Sequence, residues 1–130
     1  MKILLIDDDP IVILLQRKLM EKAGFIDEIE AYGDGEAAIE FLKKSEEGKR
    51  YLILLDINMP GMSGWEFLDQ LDTLNLPITY SVVIITSSIE QAERDKSEEY
   101  SQVIDFWIKP FNVESFQKLK EKEELKGFYH

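Results

Sequence analysis

Residues 3–10 read ILLIDDDP, an apolar run that ends in three aspartates and a proline. Four consecutive apolar residues are typical of a strand that is buried on both faces of a parallel sheet. Asp9 is a favourable N-cap residue and Pro10 suits the first turn of a helix, so we expect a helix to begin there. The stretch therefore predicts a buried strand that leads into a helix, with Asp7 and Asp8 between the two.

The same succession of an apolar run and a helix-like segment occurs five times along the chain. The predicted strands cover residues 3–6, 27–32, 51–55, 82–85 and 103–108. The first two predicted helices run from Pro10 to near Gly24 and from Gly35 to Lys44, and the third begins at Ser63. The last two run from Ser88 to about Tyr100 and from Asn112 to near Gly127. Apolar strands that alternate with helices favour a doubly wound α/β fold, in which helices cover both faces of a parallel sheet.

Capping patterns and apolar spacing add detail to the helices. Both Ser63 with Glu66 and Ser88 with Gln91 match the capping-box pattern, in which a serine is followed three residues later by Glu or Gln. Apolar spacing also predicts which residues face the core. These are Ile11, Leu14, Leu15 and Leu19 in the first helix and Phe116, Leu119 and Leu125 in the last.

Composition and charge exclude several classes of function. The 130 residues include 15 Lys and Arg against 26 Asp and Glu, a net charge of −11, which argues against direct nucleic-acid binding. Cysteine is absent and the single histidine is His130, so thiolate chemistry, a Ser-His-Asp triad and a multi-histidine zinc site are excluded. The length suits one domain over residues 1–130. With no signal peptide and no membrane-spanning stretch, we expect a cytoplasmic protein without membrane insertion.

Polar side chains follow four of the five predicted strands. Asp7 and Asp8 follow the first strand, Asp56 the third, Thr86 the fourth and Lys109 the fifth. The carboxyl ends of parallel strands meet at one edge of the sheet, where ligands of such folds bind. The carboxylates would repel one another unless a cation lay among them, and Mg²⁺ prefers such oxygen ligands.

Phosphoryl chemistry suits this set of side chains. The Lys109 ammonium and the Thr86 hydroxyl could each bind a phosphoryl oxygen. Since the chain lacks cysteine and a usable histidine, the remaining nucleophile is a carboxylate, which would form an aspartyl phosphate. Asp9 is assigned to helix capping instead of metal binding. A simple ion pair between Asp56 and Lys109 remains the alternative.

Four stretches of the chain together resemble the receiver domains of bacterial response regulators. They cover residues 5–10, 54–64, 84–87 and 106–110 and read LIDDDP, LLDINMPGMSG, IITS and FWIKP. The resemblance extends over nearly the whole chain and implies a flavodoxin-like (βα)5 three-layer sandwich with strand order 2-1-3-4-5. It implies Asp56 as the phosphoacceptor, with Thr86 and Lys109 binding the phosphoryl group. The Mg²⁺ ligands, with Mn²⁺ as the other candidate ion, would be Asp7, Asp8, Asp56 and the backbone carbonyl of Asn58.

The resemblance also implies a conformational switch and its partners. Phe106 stands where the family has an aromatic residue, often tyrosine, that changes rotamer on phosphorylation; static packing is the alternative. Side-chain alternation predicts Phe106 and Trp107 on opposite faces of the sheet. The output surface would be the fourth helix, fifth strand and fifth helix. The phosphodonor would be a histidine kinase or a histidine phosphotransfer protein. The output protein stays unidentified, and the chain would be a monomer or a phosphorylation-dependent homodimer.

The sequence leaves two other functions open beside a stand-alone, non-enzymatic receiver. One is a Mg²⁺-dependent phosphatase that uses Asp7 and Asp9 as nucleophile and acid, although the chain has no spare length for a substrate-selecting cap. The other is a receiver fold that binds partners without phosphorylation, although all the acceptor, metal and phosphoryl-binding positions are intact. The cognate kinase and the lifetime of the phosphorylated state do not follow from the sequence.

Overall fold

A computed structural model describes residues 1–88 and 90–129, and His130 lies outside the described residues. Strands and helices alternate along the chain as the sequence predicts. The strands are β1 (Lys2–Ile6), β2 (Ile29–Tyr32), β3 (Arg50–Asp56), β4 (Thr79–Thr86) and β5 (Val103–Ile108). The helices are α1 (Pro10–Lys22), α2 (Gly35–Lys43), α3 (Gly64–Leu74), α4 (Gln91–Ser97) and α5 (Val113–Leu119).

The five strands form one parallel sheet in the order β2-β1-β3-β4-β5. Successive side chains of each strand point to opposite faces of the sheet, so the sheet separates one hydrophobic core on each face. Ile6, Ile53 and Ile84 belong to the core under α2 and α3, whereas Ile3, Leu54 and Ile85 belong to the core under α1 and α5. The predicted three-layer sandwich and strand order are therefore confirmed.

Helix α1 turns a different face to the core from the one that the apolar spacing predicts. Ile11, Leu14 and Leu15 are 74%, 54% and 46% exposed, while Gln16 and Met20 are buried and Leu19 is partly buried. The prediction was wrong for the three exposed residues. Because residues 11–15 are all apolar, local spacing favours no single face, and the position of the helix on the sheet decides which side is buried.

The fourth helix begins and ends differently from the prediction. Its N-cap residue is Glu90, with no side-chain capping bond, and the helix ends at Ser97 instead of near Tyr100. The Ser88 hydroxyl accepts a hydrogen bond from the backbone N–H of Glu90 at 3.2 Å, so it bonds to the N-cap residue and not to an N–H inside the helix. The capping box predicted at Ser88 was therefore wrong.

The last helix is capped by Asn112 as predicted but is shorter. The Asn112 side chain accepts a hydrogen bond from the N–H of Ser115 at 3.1 Å, and the helix ends at Leu119. Beyond it the chain forms turns in which Leu125 is still fully buried, so burial of this residue was predicted correctly although its helical conformation was not. Lys120 donates to the carbonyl of Ala23 at 2.6 Å and so holds the end of α5 against the end of α1.

Within residues 1–88 and 90–129, no helix combines the length and the apolar character that crossing a bilayer requires.

Candidate functional site

Three carboxylates meet at the carboxyl edge of the sheet. Asp7 follows β1 and Asp56 ends β3, and the register of these two strands pairs Ile6 with Leu55, which places the aspartates side by side. One carboxylate oxygen of each of Asp7, Asp8 and Asp56 lies within 4.8 Å of the other two. Asp7 is 1% exposed and Asp56 is 5% exposed, while Asp8 is exposed. The edge therefore holds two buried negative charges and a third at the surface.

Lys109, which directly follows the edge strand β5, brings one positive charge to these carboxylates. Its ammonium nitrogen lies 3.4 Å from Oδ2 of Asp7 and 3.9 Å from Oδ1 of Asp56. The backbone N–H of Lys109 donates to the carbonyl of Thr86 at 2.7 Å, so the end of β5 is fixed to the end of β4. The predicted convergence of Lys109 on the two buried aspartates is what the structure shows.

The charge at this edge remains predominantly negative. Burial raises the pKa of Asp7 above its ordinary value, although the Asp9 N–H and the Lys109 ammonium act in the opposite direction. Burial also raises the pKa of Asp56, and the neighbouring charge of Asp7 raises it further against the effect of Lys109. One ammonium group thus does not compensate for the cost of two buried carboxylates.

The donor set fits a small divalent cation. All the ligand atoms offered by Asp7, Asp8 and Asp56 are carboxylate oxygens, which hard ions such as Mg²⁺ prefer over nitrogen or sulfur. The neighbouring Asp9 has another role, since its Oδ1 accepts from the N–H of Ile11 at 2.9 Å and caps α1. This agrees with the prediction that Asp9 is a capping residue.

Thr86 lies near the carboxylates but does not bond to them. It is fully buried at the end of β4, and its hydroxyl oxygen accepts from the Asn58 side-chain amide at 3.2 Å and from the Ser88 N–H at 3.1 Å. Asn58 also donates its backbone N–H to Oδ1 of Asp56 at 3.2 Å. The sequence predicts a role for the Asn58 backbone carbonyl, but its side-chain bond to Thr86, 28 residues away, has no local sequence signal.

The loop after Asp56 packs tightly against the start of α3. Ser63 and Glu66 form the predicted capping box, with both reciprocal bonds present. A Cβ atom on Gly64 would lie 2.8 Å from the Cα of Ile57 and 2.9 Å from the carbonyl oxygen of Asp56. Glycine is therefore required here by close backbone approach, which brings α3 up to the site.

Phe106 lies on the face of β5 opposite to Trp107, as side-chain alternation predicts. It packs in the core under α2 and α3, while Trp107 packs with Phe116 in the other core. The guanidinium of Arg94 from α4 lies 4.9 Å from the centre of the Phe106 ring. The candidate switch residue is thus buried and is covered by a cation from α4.

A second group of contacts joins α3 to the segment that follows α4. The rings of Trp65 and Tyr100 stack with centroids 5.6 Å apart and planes at 19°. The Lys96 ammonium lies 5.2 Å from the Trp65 ring centre. The Tyr100 hydroxyl donates to Asp69 at 2.7 Å, and burial together with this carboxylate raises the pKa of Tyr100 to about 12. Trp65 therefore packs against α4 and the segment that follows it.

Comparisons with known proteins agree with this geometry. The family model for the response regulator receiver domain matches residues 3–121. The chain is 33% identical over 131 residues to the "Probable methanogenesis regulatory protein FilR2" of Methanothrix harundinacea, covering 98% of this chain and 82% of that protein. It is 34% identical over 115 residues to the transcriptional regulatory protein MalR of Bacillus subtilis, covering 88% of this chain but only 46% of MalR.

A solved structure shows the same fold. The response regulator receiver domain protein (CheY-like) from Methanospirillum hungatei JF-1 superposes with a TM-score of 0.73 at 30% identity. The alignment covers 98% of this chain and 94% of that one.

Proposed function

This chain belongs to the family of response regulator receiver domains and is a phosphoryl-accepting signalling switch. We propose that Asp56 is its phosphoacceptor. Its donor would be a phosphohistidine of a histidine kinase or of a histidine phosphotransfer protein. The observation that carries the proposal is the meeting of Asp56, Asp7, Asp8 and Lys109 at one edge of the sheet. We take residues 1–130 as a single receiver domain.

The proposed step transfers a phosphoryl group from the histidine nitrogen of the donor to a carboxylate oxygen of Asp56. A carboxylate oxygen of Asp56 attacks the phosphorus, and the new O–P bond forms while the N–P bond of the phosphohistidine breaks. The electron pair of the broken bond stays on the imidazole nitrogen of the donor. The Lys109 ammonium, 3.9 Å from Oδ1 of Asp56, is placed to bind an oxygen of the transferred group.

The metal would be held by the three aspartates and the backbone carbonyl of Asn58. Mg²⁺, or Mn²⁺ in its place, would offset the negative charge of the carboxylates and of the phosphoryl oxygens when bound. The raised pKa values of Asp7 and Asp56 are consistent with this assignment, since burial raises both and the Lys109 ammonium does not offset it. Asp9 is not among the proposed ligands because its carboxylate caps α1.

Phosphorylation would change the surface formed by α4, β5 and α5. The Thr86 hydroxyl would turn toward the phosphoryl group, and Phe106 would change its position behind it. Helix α4 is suited to such a movement because it has seven residues and no side-chain cap. This surface would bind the output protein, or a second copy of the chain if the phosphorylated form is a homodimer.

The exposed apolar face of α1 is the proposed docking surface for the phosphodonor. Ile11, Leu14 and Leu15 project from a helix that begins three residues after Asp7, so this face adjoins the acidic edge. An apolar patch beside a reaction site is typical of a protein-binding surface. A donor that packs on this patch would present its phosphohistidine next to Asp56.

Phosphorylation by a small phosphodonor tests the proposal. Acetyl phosphate with Mg²⁺ should add one phosphoryl group per chain, measured by intact mass, and Asp56→Asn should abolish the addition. Asp72→Asn, an exposed aspartate on α3, is the matched control and should be labelled like the unsubstituted chain. Full labelling of Asp56→Asn would overturn the assignment.

Two further measurements separate the other two functions. Phosphate release from small phosphomonoesters over many turnovers would indicate a phosphatase, although Asp9, its candidate acid, is occupied in capping α1. If the unsubstituted chain is not labelled and Mg²⁺ changes neither its melting temperature nor its tryptophan fluorescence, the fold would serve as a binding module alone.

A further inference from the structure

We propose that the side-chain amide of Asn58 is a positioning group that holds Thr86 in the resting conformation. The inference rests on the proposed function, because it takes Thr86 as the residue that turns toward the phosphoryl group. It goes beyond that function by giving the Asn58 side chain a task separate from the metal-binding role proposed for its backbone carbonyl.

The hydrogen bonds of Thr86 define the resting position. Its hydroxyl oxygen accepts from Nδ2 of Asn58 at 3.2 Å and from the N–H of Ser88 at 3.1 Å. A hydroxyl oxygen has two lone pairs, and these two donors use both. The oxygen is thus held between the loop after β3 and the loop after β4.

The direction of the Thr86 side chain separates it from the phosphoacceptor. Ile84, two residues earlier on β4, faces the core under α2 and α3, and alternation places Thr86 on the same side. Among the described residues, the Thr86 hydroxyl makes no hydrogen bond to Asp56 or Lys109. To donate to a phosphoryl group on Asp56, the hydroxyl has to turn, and this turn breaks or lengthens the bond from Asn58.

Burial makes the loss of that bond matter. Thr86 is fully buried, so water does not readily replace a partner that its hydroxyl gives up. The Asn58 amide therefore stabilises the resting position relative to the turned one. A phosphoryl group on Asp56 offers the hydroxyl a charged acceptor that compensates for the lost bond.

Asn58 is also placed to couple phosphorylation of Asp56 to the turn of the Thr86 hydroxyl. Its backbone N–H bonds to Oδ1 of Asp56 at 3.2 Å, while its side chain bonds to Thr86. A change at the Asp56 carboxylate would displace the same residue that holds the hydroxyl. Hydrogen bonds of a single residue, Asn58, thus connect the phosphoacceptor to Thr86, which begins the loop between β4 and α4.

The first experiment uses the metal-free, unphosphorylated protein. Asn58→Ala removes the donor but keeps the backbone, and the exposed position of Asn58 makes unfolding an unexpected result. We expect the NMR signals of the Thr86 methyl group and the Ser88 amide to move toward their positions in the protein saturated with Mg²⁺ and beryllofluoride. Ser88→Ala is the matched control, because it keeps the backbone N–H that bonds to Thr86, and its Thr86 methyl signal should stay at the resting position.

The second experiment measures the affinity for beryllofluoride with Mg²⁺. Asn58→Ala should bind two- to tenfold more tightly, the range expected for removing one neutral hydrogen bond from the resting state. In a Thr86→Val background the same substitution should have no such effect, because the hydroxyl that it releases is absent.

Resting NMR signals and an affinity that are both unchanged in Asn58→Ala would overturn the inference, as would an equal gain of affinity in the Thr86→Val background. If the unsubstituted chain fails to bind beryllofluoride, the proposed function fails. The displacement of the Thr86 methyl signal in metal-free Asn58→Ala, with Ser88→Ala as the reference, then tests by itself whether Asn58 holds Thr86.

Discussion

Replacing Asp56 by Asn should make the metal-free protein more stable at neutral pH, although it removes the proposed phosphoacceptor. The Asp7 and Asp56 carboxylate oxygens lie within 4.8 Å of each other, and two unit charges at that distance repel by about 3.5 kcal/mol at an effective dielectric constant of about 20. The substitution removes this repulsion. It also removes the cost of burying the Asp56 charge, which is on the order of several kcal/mol.

The opposing term is the attraction between Asp56 and Lys109. At 3.9 Å it amounts to about 4 kcal/mol on the same scale, while Lys109 keeps its closer partner Asp7 at 3.4 Å. The repulsion and the attraction nearly cancel, so the burial cost decides the sign and leaves a net stabilisation of at least about 1 kcal/mol, or roughly 4 °C or more in melting temperature for a domain of this size. The raised pKa of Asp56 has the same sign, since it shows that the folded state disfavours the charged form.

The pH dependence provides the sharper assay. Because the pKa of Asp56 is raised in the folded state, the unsubstituted chain gains stability from this group as the pH falls through that value toward about 4. The advantage of Asp56→Asn should therefore be full near neutral pH and shrink as the pH is lowered. Urea unfolding across this range, with Asp72→Asn as the control for net charge, measures the effect.

Mg²⁺ should act on the two proteins differently. Binding at the proposed site should stabilise the folded state of the unsubstituted chain more than that of Asp56→Asn, so the stability difference between the two proteins should narrow as Mg²⁺ is added. The reasoning is refuted if Asp56→Asn is no more stable than Asp72→Asn at neutral pH without metal, or if its advantage does not change with pH.

Three further predictions concern the surroundings of the site. Gly64→Ala should lower the free energy of unfolding by about 1–3 kcal/mol, because its Cβ would meet backbone atoms at 2.8 Å, whereas Gly33→Ala has open space; equal urea midpoints would contradict this. Leu14→Asp should slow transfer from a phosphohistidine donor by about tenfold or more and leave acetyl phosphate labelling unchanged; slower labelling by acetyl phosphate would instead indicate damage to the site. Tyr100→Leu should change the fluorescence of Trp65 and cost about 1 kcal/mol of stability, so an unchanged emission spectrum would show that the stack is absent in solution.

The sequence was sufficient for features that depend on a few neighbouring residues. Buried parallel strands follow from continuous apolar runs, and the caps at Asp9, Ser63 and Asn112 follow from side chains that bond to N–H groups two or three residues away. Lys109 and Asp7 are 102 residues apart, yet their meeting was predictable, because parallel strands place their carboxyl ends at one edge. Architecture thus supplied a long-range contact from local signals.

Tertiary structure alone decided which face of α1 is buried and which side chains meet between the loops after β3 and β4. Helix α1 is apolar over most of its first two turns, so only its position on the sheet determines that Met20 is buried while Leu14 is exposed. The hydrogen bond from Asn58 to Thr86 depends on the register of β3 against β4, because the register sets where the loops after these two strands begin. No residue spacing along the chain predicts that register. Local hydrogen bonds and apolar periodicity act over one or two turns, whereas these choices depend on how whole elements pack, and packing is a property of the assembled domain.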